Sequence, residues 1–275
     1  MNKVQEILSS DALARVPIVY LHDETNHVII MEDAGRDAVN LKELLRRSDP
    51  PSPASGAIIG RALGEFIAKL HAWGKTDQGR ASLDSYEGYP QARDICAWAT
   101  YGRLVNTVTG KSESIPLIHD PPLQVTSEEL DKISKLAEER AEEMRVSRET
   151  ATMGDFWPGN VLVDLGRGSD GSEEVQKILV VDWEVARPGA AAFDVGQFQA
   201  EIFTVQHFNP VCGPVSEALN AAFLEEYLSI QPELDRQKAA QHLAVHLIIW
   251  TPRVGWEPAE KTRALVEHGL RSITL

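Results

Sequence analysis

Met153-Gly154-Asp155-Phe156-Trp157-Pro158-Gly159-Asn160 runs without a break into Val161-Leu162-Val163-Asp164. Gly, Asp, Pro and Asn make the first part a loop, and the apolar residues after it read as a strand. A second β-like run, Ile178-Leu179-Val180-Val181, ends in Asp182-Trp183-Glu184. Between the two, Leu165 to Gln176 is rich in Gly, Ser, Asp and Glu, which predicts an exposed hairpin tip of variable form. If the runs pair as an antiparallel hairpin, the outgoing strand starts at Asn160 and the returning strand finishes at Asp182, so these side chains meet at one end.

That meeting gathers two carboxylates and one amide with no cationic residue between them in the motifs. Crowded carboxylates repel one another, and a divalent cation is the usual remedy. Magnesium takes a few protein oxygens plus substrate phosphates, which the Asn160 amide oxygen and the Asp182 carboxylate could supply. Asp155 would then be free to orient a hydroxyl nucleophile and accept its proton.

Toward the N-terminus, Ile18 to Leu21 and Val28 to Met31 form a hairpin by pattern, joined by the polar turn His22-Asp23-Glu24-Thr25-Asn26. Glu32-Asp33-Ala34-Gly35 stops the second run, and Ser48 to Pro53 reads as a loop. Helices dominate thereafter. Ile59, Leu63, Phe66, Ile67 and Leu70 recur at helical spacing, predicting a helix from Ala57 to Trp73 that Gly74 ends, with Gly60 and Gly64 allowing close packing. Thr126 and Glu129 make a capping box ahead of a second long helix. Further helical periodicity runs from Val215 to Tyr227, Lys238 to Trp250 and Glu260 to Ser272.

These residues resemble the aminoglycoside phosphotransferase and choline kinase-like family, whose signature is a His-Gly-Asp catalytic loop with an Asn five residues after the Asp. An Ile-Asp-Trp or Ile-Asp-Phe metal motif then follows a β-hairpin. Gly154-Asp155 and Asn160 match the first motif and Val181-Asp182-Trp183-Glu184 the second. Val16-Pro17, the strand Val28 to Glu32, the helix Leu63 to His71 and the segment Ala192 to Gly196 are similar to the family as well. The resemblance implies an α+β, protein kinase-like fold with an incomplete N-terminal β-sheet and a mainly helical C-terminal lobe. Residues 1–34 would be the remnant of the nucleotide-binding lobe with its hinge, and residues 35–275 the helical catalytic and substrate lobe.

By the same resemblance Asp155 is the catalytic base, Asn160 and Asp182 are magnesium ligands, and Met31, Glu32 and Ala34 offer backbone groups to the adenine edge of ATP. The expected activity is ATP- and Mg2+-dependent transfer of phosphate to a small-molecule hydroxyl. Two departures stand out. Met153 replaces the signature His, which implies a different support for the loop. The family's opening strands, with a phosphate-covering turn and a strand lysine, should precede Met1, whereas Lys3 sits in a short helical run around Val4 to Leu8. A catalytically silent binding protein and a fragment of a longer enzyme therefore stay open beside the active phosphotransferase. Glu6 could match the helix glutamate that holds that lysine.

Several other features have structural readings. Asp194 is expected to be an N-cap holding backbone amides. His242 and His246 share a helical face, but Leu243 stands where a zinc protease would carry Glu, so a packed or surface pair is expected. Trp98, Tyr101, Trp183, Trp250 and Trp256 could line a substrate cleft but are more simply core. Cys96 and Cys212 fit no metal spacing and read as reduced thiols. The formal charge of -14 leaves no diffuse basic surface for nucleic acid or anionic lipid and allows a cationic substrate. Met1 to Ser10 lacks a signal-peptide stretch, and Leu243 to Trp250 is too short to span a bilayer, so a soluble cytoplasmic protein is expected. No motif names the substrate or the oligomeric state.

Overall fold

The computed structural model describes residues 2–7, 12–85, 90–111 and 113–274; Met1, Leu8 and Ser10 lie outside them. Helix α1 (Asn2–Ile7) sends Val4 into the core and leads to four short strands: β1 (Ala14–Arg15), β2 (Val19–Asp23), β3 (Val28–Met31) and β4 (Val39–Asn40). β2 and β3 form the expected hairpin, Asp23 opposite Val28, closed where the Asp23 carboxylate accepts from the Asn26 backbone N–H at 3.0 Å. It stands as a separate two-stranded sheet, and Tyr20, Leu21, Val28, Ile29 and Ile30 are all exposed.

Asn40 caps α2 (Leu41–Arg46) by accepting from the Glu43 N–H at 2.8 Å. The long helix α3 runs from Pro53 to Gly74, starting before Ala57 because the Ser52 side chain accepts from the Ser55 N–H and Pro53 suits a first turn. Next come α4 (Asp77–Ser85), α5 (Pro90–Ala97), α6 (Leu104–Thr109) and α7 (Pro116–His119). In α8 (Ser127–Val146) the capping box of Thr126 and Glu129 forms in both directions.

β5 (Thr150–Thr152), β6 (Val161–Arg167), β7 (Glu173–Val180) and β8 (Arg187–Gly189) follow, then the helices α9 (Ala191–Phe208), α10 (Gly213–Ile230), α11 (Arg236–Trp250) and α12 (Glu260–Thr274). The main sheet has the order β1-β7-β6-β4, with β1 parallel to β7 and the other pairs antiparallel. Its hairpin tip is shorter than the composition suggests, because Arg167 pairs with Glu173 and Gly166 with Glu174. The polar residues there belong to exposed strand ends, and Asp170 closes the turn by accepting from the Ser172 N–H at 2.9 Å.

α3 packs against α10 at very short range. A Cβ at Gly60 would collide with the Leu219 carbonyl and one at Gly64 with the Phe223 carbonyl, so the glycines let the backbones touch. This contact brings His71 of α3 within 2.8 Å of the Tyr227 hydroxyl on α10, which matters for the loop described next.

Candidate active site

In the β6–β7 hairpin Val161 lies opposite Val180, and the Val181 N–H donates to the Asn160 carbonyl at 2.9 Å. Asn160 and Asp182 therefore stand at one end of the ribbon. Asp182 is exposed and has φ 64, a left-handed conformation that Asp tolerates better than most residues with a Cβ. Behind it the Trp183 indole N–H donates to the Val180 carbonyl at 3.0 Å, and the ring meets Phe66 of α3 edge-on.

Asp155 is reached from both sides. Gln197 of α9 donates to its Oδ1 at 2.6 Å. The Asn160 amide nitrogen donates to Oδ2 at 3.2 Å and to the Asp155 carbonyl at 3.0 Å, which leaves the amide oxygen for a ligand. Burial pushes the Asp155 carboxyl up from its ordinary value, the Asp182 charge adds to this, and the hydrogen bonds from Gln197 and Asn160 and the His246 charge hold part of the rise back. A half-buried carboxylate with a raised pKa and fixed oxygens suits a general base.

Support of the loop comes from Asp194, which corrects the N-cap expectation. The cap position of α9 is Ala190, and Asp194 lies inside the helix's first turn with 1% exposure. Its carboxylate does hold backbone amides, but they belong to the distant loop: Met153 N–H at 2.8 Å and Gly154 N–H at 2.9 Å. His71 Nε2 approaches the same carboxylate at 3.2 Å while its Nδ1 pairs with Tyr227. Met153 is fully buried and contributes its backbone N–H, and a buried His71–Asp194 pair from two helices stands behind the loop. Gly154 has φ +81, and Arg187 lies where its Cβ would be, so no other residue fits that turn.

A sequence model described as the phosphotransferase enzyme family matches residues 3–240. The chain belongs to this family. Within it, the chain is 27% identical over 265 residues to a 4-hydroxytryptamine kinase of Psilocybe cyanescens, covering 96% of this chain and 67% of that one. It is 28% identical over 206 residues to a methylthioribose kinase of Bacillus thuringiensis, covering 73% of this chain and 47% of the other. Among solved structures, a Plasmodium vivax ethanolamine kinase superposes with a TM-score of 0.44 at 14% identity, covering 98% of this chain and 71% of that one. As a phosphotransferase-family chain it has the kinase-like α+β fold.

The phosphotransferase residues expected at the adenine edge lie at the end of β3. Met31 is exposed, Ala34 is half-buried, and the Glu32 side chain accepts from Arg15 at 2.5 and 2.7 Å. The Arg15 guanidinium holds the Glu32 carboxyl down at about 2. Lys177 of β7 donates to the Asp33 carbonyl at 3.2 Å, tying this segment to the ribbon that carries Asn160 and Asp182. Among the described residues no group of three or more His, Cys, Asp or Glu forms a metal cage, whereas magnesium needs few protein oxygens beside phosphates. The donors Asn160 and Asp182 fit that requirement.

His242 and His246 are a packed pair, bonded to the Tyr101 hydroxyl at 2.7 Å and to Glu201 at 2.8 Å. Burial drives the His242 pKa well below its ordinary value. The aromatic residues divide: Tyr101 and Trp256 are buried, Trp183 and Trp250 half-buried, and Trp98 exposed. Cys96 and Cys212 are free thiols. No helix among the described residues is long and apolar enough to cross a membrane.

Sequence reasoning missed Gln197. A signal existed in α9: Asp194 and Gln197 recur at i and i+3 on a helix rich in buried apolar residues, and both reach the loop.

Proposed function

We propose that this chain performs ATP- and Mg2+-dependent transfer of phosphate to the hydroxyl of a small molecule, with Asp155 as the base. The reading rests above all on the pairing of a carboxylate held at both oxygens with a second carboxylate on the adjoining turn of one ribbon. The named kinase relatives act on small hydroxylated molecules, which supports the same acceptor class here.

In this reading Asp155 orients the acceptor hydroxyl and takes its proton as the oxygen attacks the terminal phosphate. Gln197 and Asn160 keep the carboxylate from turning, so little reorganisation is needed at the moment of reaction. The Asn160 amide oxygen and the Asp182 carboxylate would hold magnesium, which when bound neutralises charge on the transferring phosphate. Residues 1–34 would then serve the nucleotide side through the Met31, Glu32 and Ala34 backbone, and residues 35–275 the acceptor side.

Following ATP consumption by phosphorus NMR with magnesium and a panel of amino alcohols, phenols and sugars tests the proposal. Asp155→Asn should lower kcat by about 100- to 10,000-fold, and Asp182→Ala by roughly 100- to 1,000-fold. Equal turnover by wild type and Asp182→Ala would remove the metal role. No transfer to any acceptor would favour a silent binding protein.

A further inference from the structure

A cavity of about 490 Å3 lies between the β2–β3 hairpin and the helical part of the chain, a volume in the range of small-molecule sites. Leu70 and Trp73 at the end of α3, Leu83 of α4 and Trp183, next to Asp182, line one part of it. Val19 and Ile29 of the hairpin line another. None of the residues assigned above to the base, the magnesium ion or the adenine edge takes part.

The walls are apolar because the polar groups among them are engaged elsewhere. The Thr152 hydroxyl donates to the Arg187 carbonyl at 2.8 Å. Arg187 Nη1 donates to the Val185 carbonyl at 2.9 Å, close against Gly154. Among the described residues no carboxylate lines the cavity. His22, exposed on β2, can supply one hydrogen bond at the rim. The buried Arg187 Nε lacks a hydrogen-bond partner and is the feature that would favour an anion. Against it, an ionised group would give up its water to walls that are largely apolar.

Two indoles, Trp73 and Trp183, suit a flat ring system. The hairpin adds a second argument. A two-stranded ribbon alone is marginal in water, and Ile29 is 49% exposed although it lines the cavity. A ring system seated between Ile29 and Trp183 would remove apolar surface from water on both sides at once, with a gain in proportion to the area.

We propose that this cavity binds a neutral molecule of two or three aromatic rings, which pins the hairpin to α3 and to the turn behind Asp182. The occupant needs no hydroxyl, and the inference stands whether or not Asp155 acts as a base. It would join the segment read as the nucleotide side to the ribbon that carries Asp182, a position from which a ligand steadies the fold without reacting.

Fluorescence titration of the full chain with N-phenyl-1-naphthylamine tests this, set against 8-anilinonaphthalene-1-sulfonate, the same rings bearing a sulfonate. The neutral dye should bind once per chain and about tenfold tighter than the anion. Ile29→Glu should weaken it about tenfold, whereas Ile30→Glu, equally exposed at 49% but not lining the cavity, should leave binding unchanged. Both positions are exposed, so neither substitution asks the core to adjust. Leu83→Trp, which fills the cavity from α4, should lower affinity as well. Hydrogen exchange at the β2–β3 amides should slow when the neutral dye binds. Absence of saturable binding, tighter binding of the anion, equal effects of Ile29→Glu and Ile30→Glu, or unchanged exchange in the hairpin overturns the proposal.

Discussion

The loop from Met153 to Asn160 and the hairpin of β2 and β3 are both short, and both are recognisable from sequence, yet they are held in opposite ways. The loop is fastened mainly by side chains from elements far along the chain, Asp194 on two of its amides, Gln197 on the Asp155 carboxylate and His71 behind Asp194, with its own Asn160 on the same carboxylate. The hairpin is held by its own backbone pairing and, at its base, by the ion pairs of Glu32 with Arg15 and Lys177, while most of its apolar side chains face outward. A two-stranded ribbon alone is marginal in water, whereas an ionised group buried with several hydrogen bonds is expensive to disturb. The proposed chemistry thus falls on the part whose geometry is over-determined.

The sharpest way to break this contrast is Asp194→Ala. It leaves two loop amides and His71 Nε2 without a buried partner, and should reduce stability by about 3–5 kcal/mol. A urea midpoint that moves little would show that the loop is held by something else. Gln197→Leu should act next in size, lowering kcat roughly tenfold through one lost charge-assisted hydrogen bond. It also has a signed effect on pH. Asp155 must be ionised to act and its pKa already lies above the ordinary value; removing a bond that lowers it raises it further, so the acid limb of kcat/KM should move to higher pH. An unmoved limb would deny Gln197 a positioning role.

The smallest effect should come from the hairpin. Arg15→Ala should reduce stability by about 1 kcal/mol at neutral pH, as expected of a partly exposed pair. The Glu32 pKa is depressed in the fold, from 4.5 to about 2, so its contribution is present above 4.5 and is lost as the pH falls toward 2. Differences in stability between wild type and Arg15→Ala should therefore shrink across that interval. A loss as large as that of Asp194→Ala would erase the distinction between the two regions.

The legible parts were those in which local pattern and tertiary environment agree. The capping box of Thr126 and Glu129, the α3 glycines and the antiparallel ribbon all appear as their residues imply. β1 and β4 have two residues each, too few for a period to register, and they exist because the β6–β7 ribbon offers them edges. Asp194 misleads for a related reason. Its type announces that it will hold backbone amides, but nothing local says whether they belong to its own helix or to a loop some forty residues earlier.

The amino-acid sequence by itself determined the ribbon that brings Asn160 and Asp182 to one end, because strand pairing through a short turn is a local matter of alternation and register. Only the tertiary structure decided what surrounds Asp155. Gln197, Asp194 and His71 reach the loop through the packing of α3 and α9. Such contacts depend on which helical faces meet, and no spacing within one segment encodes that.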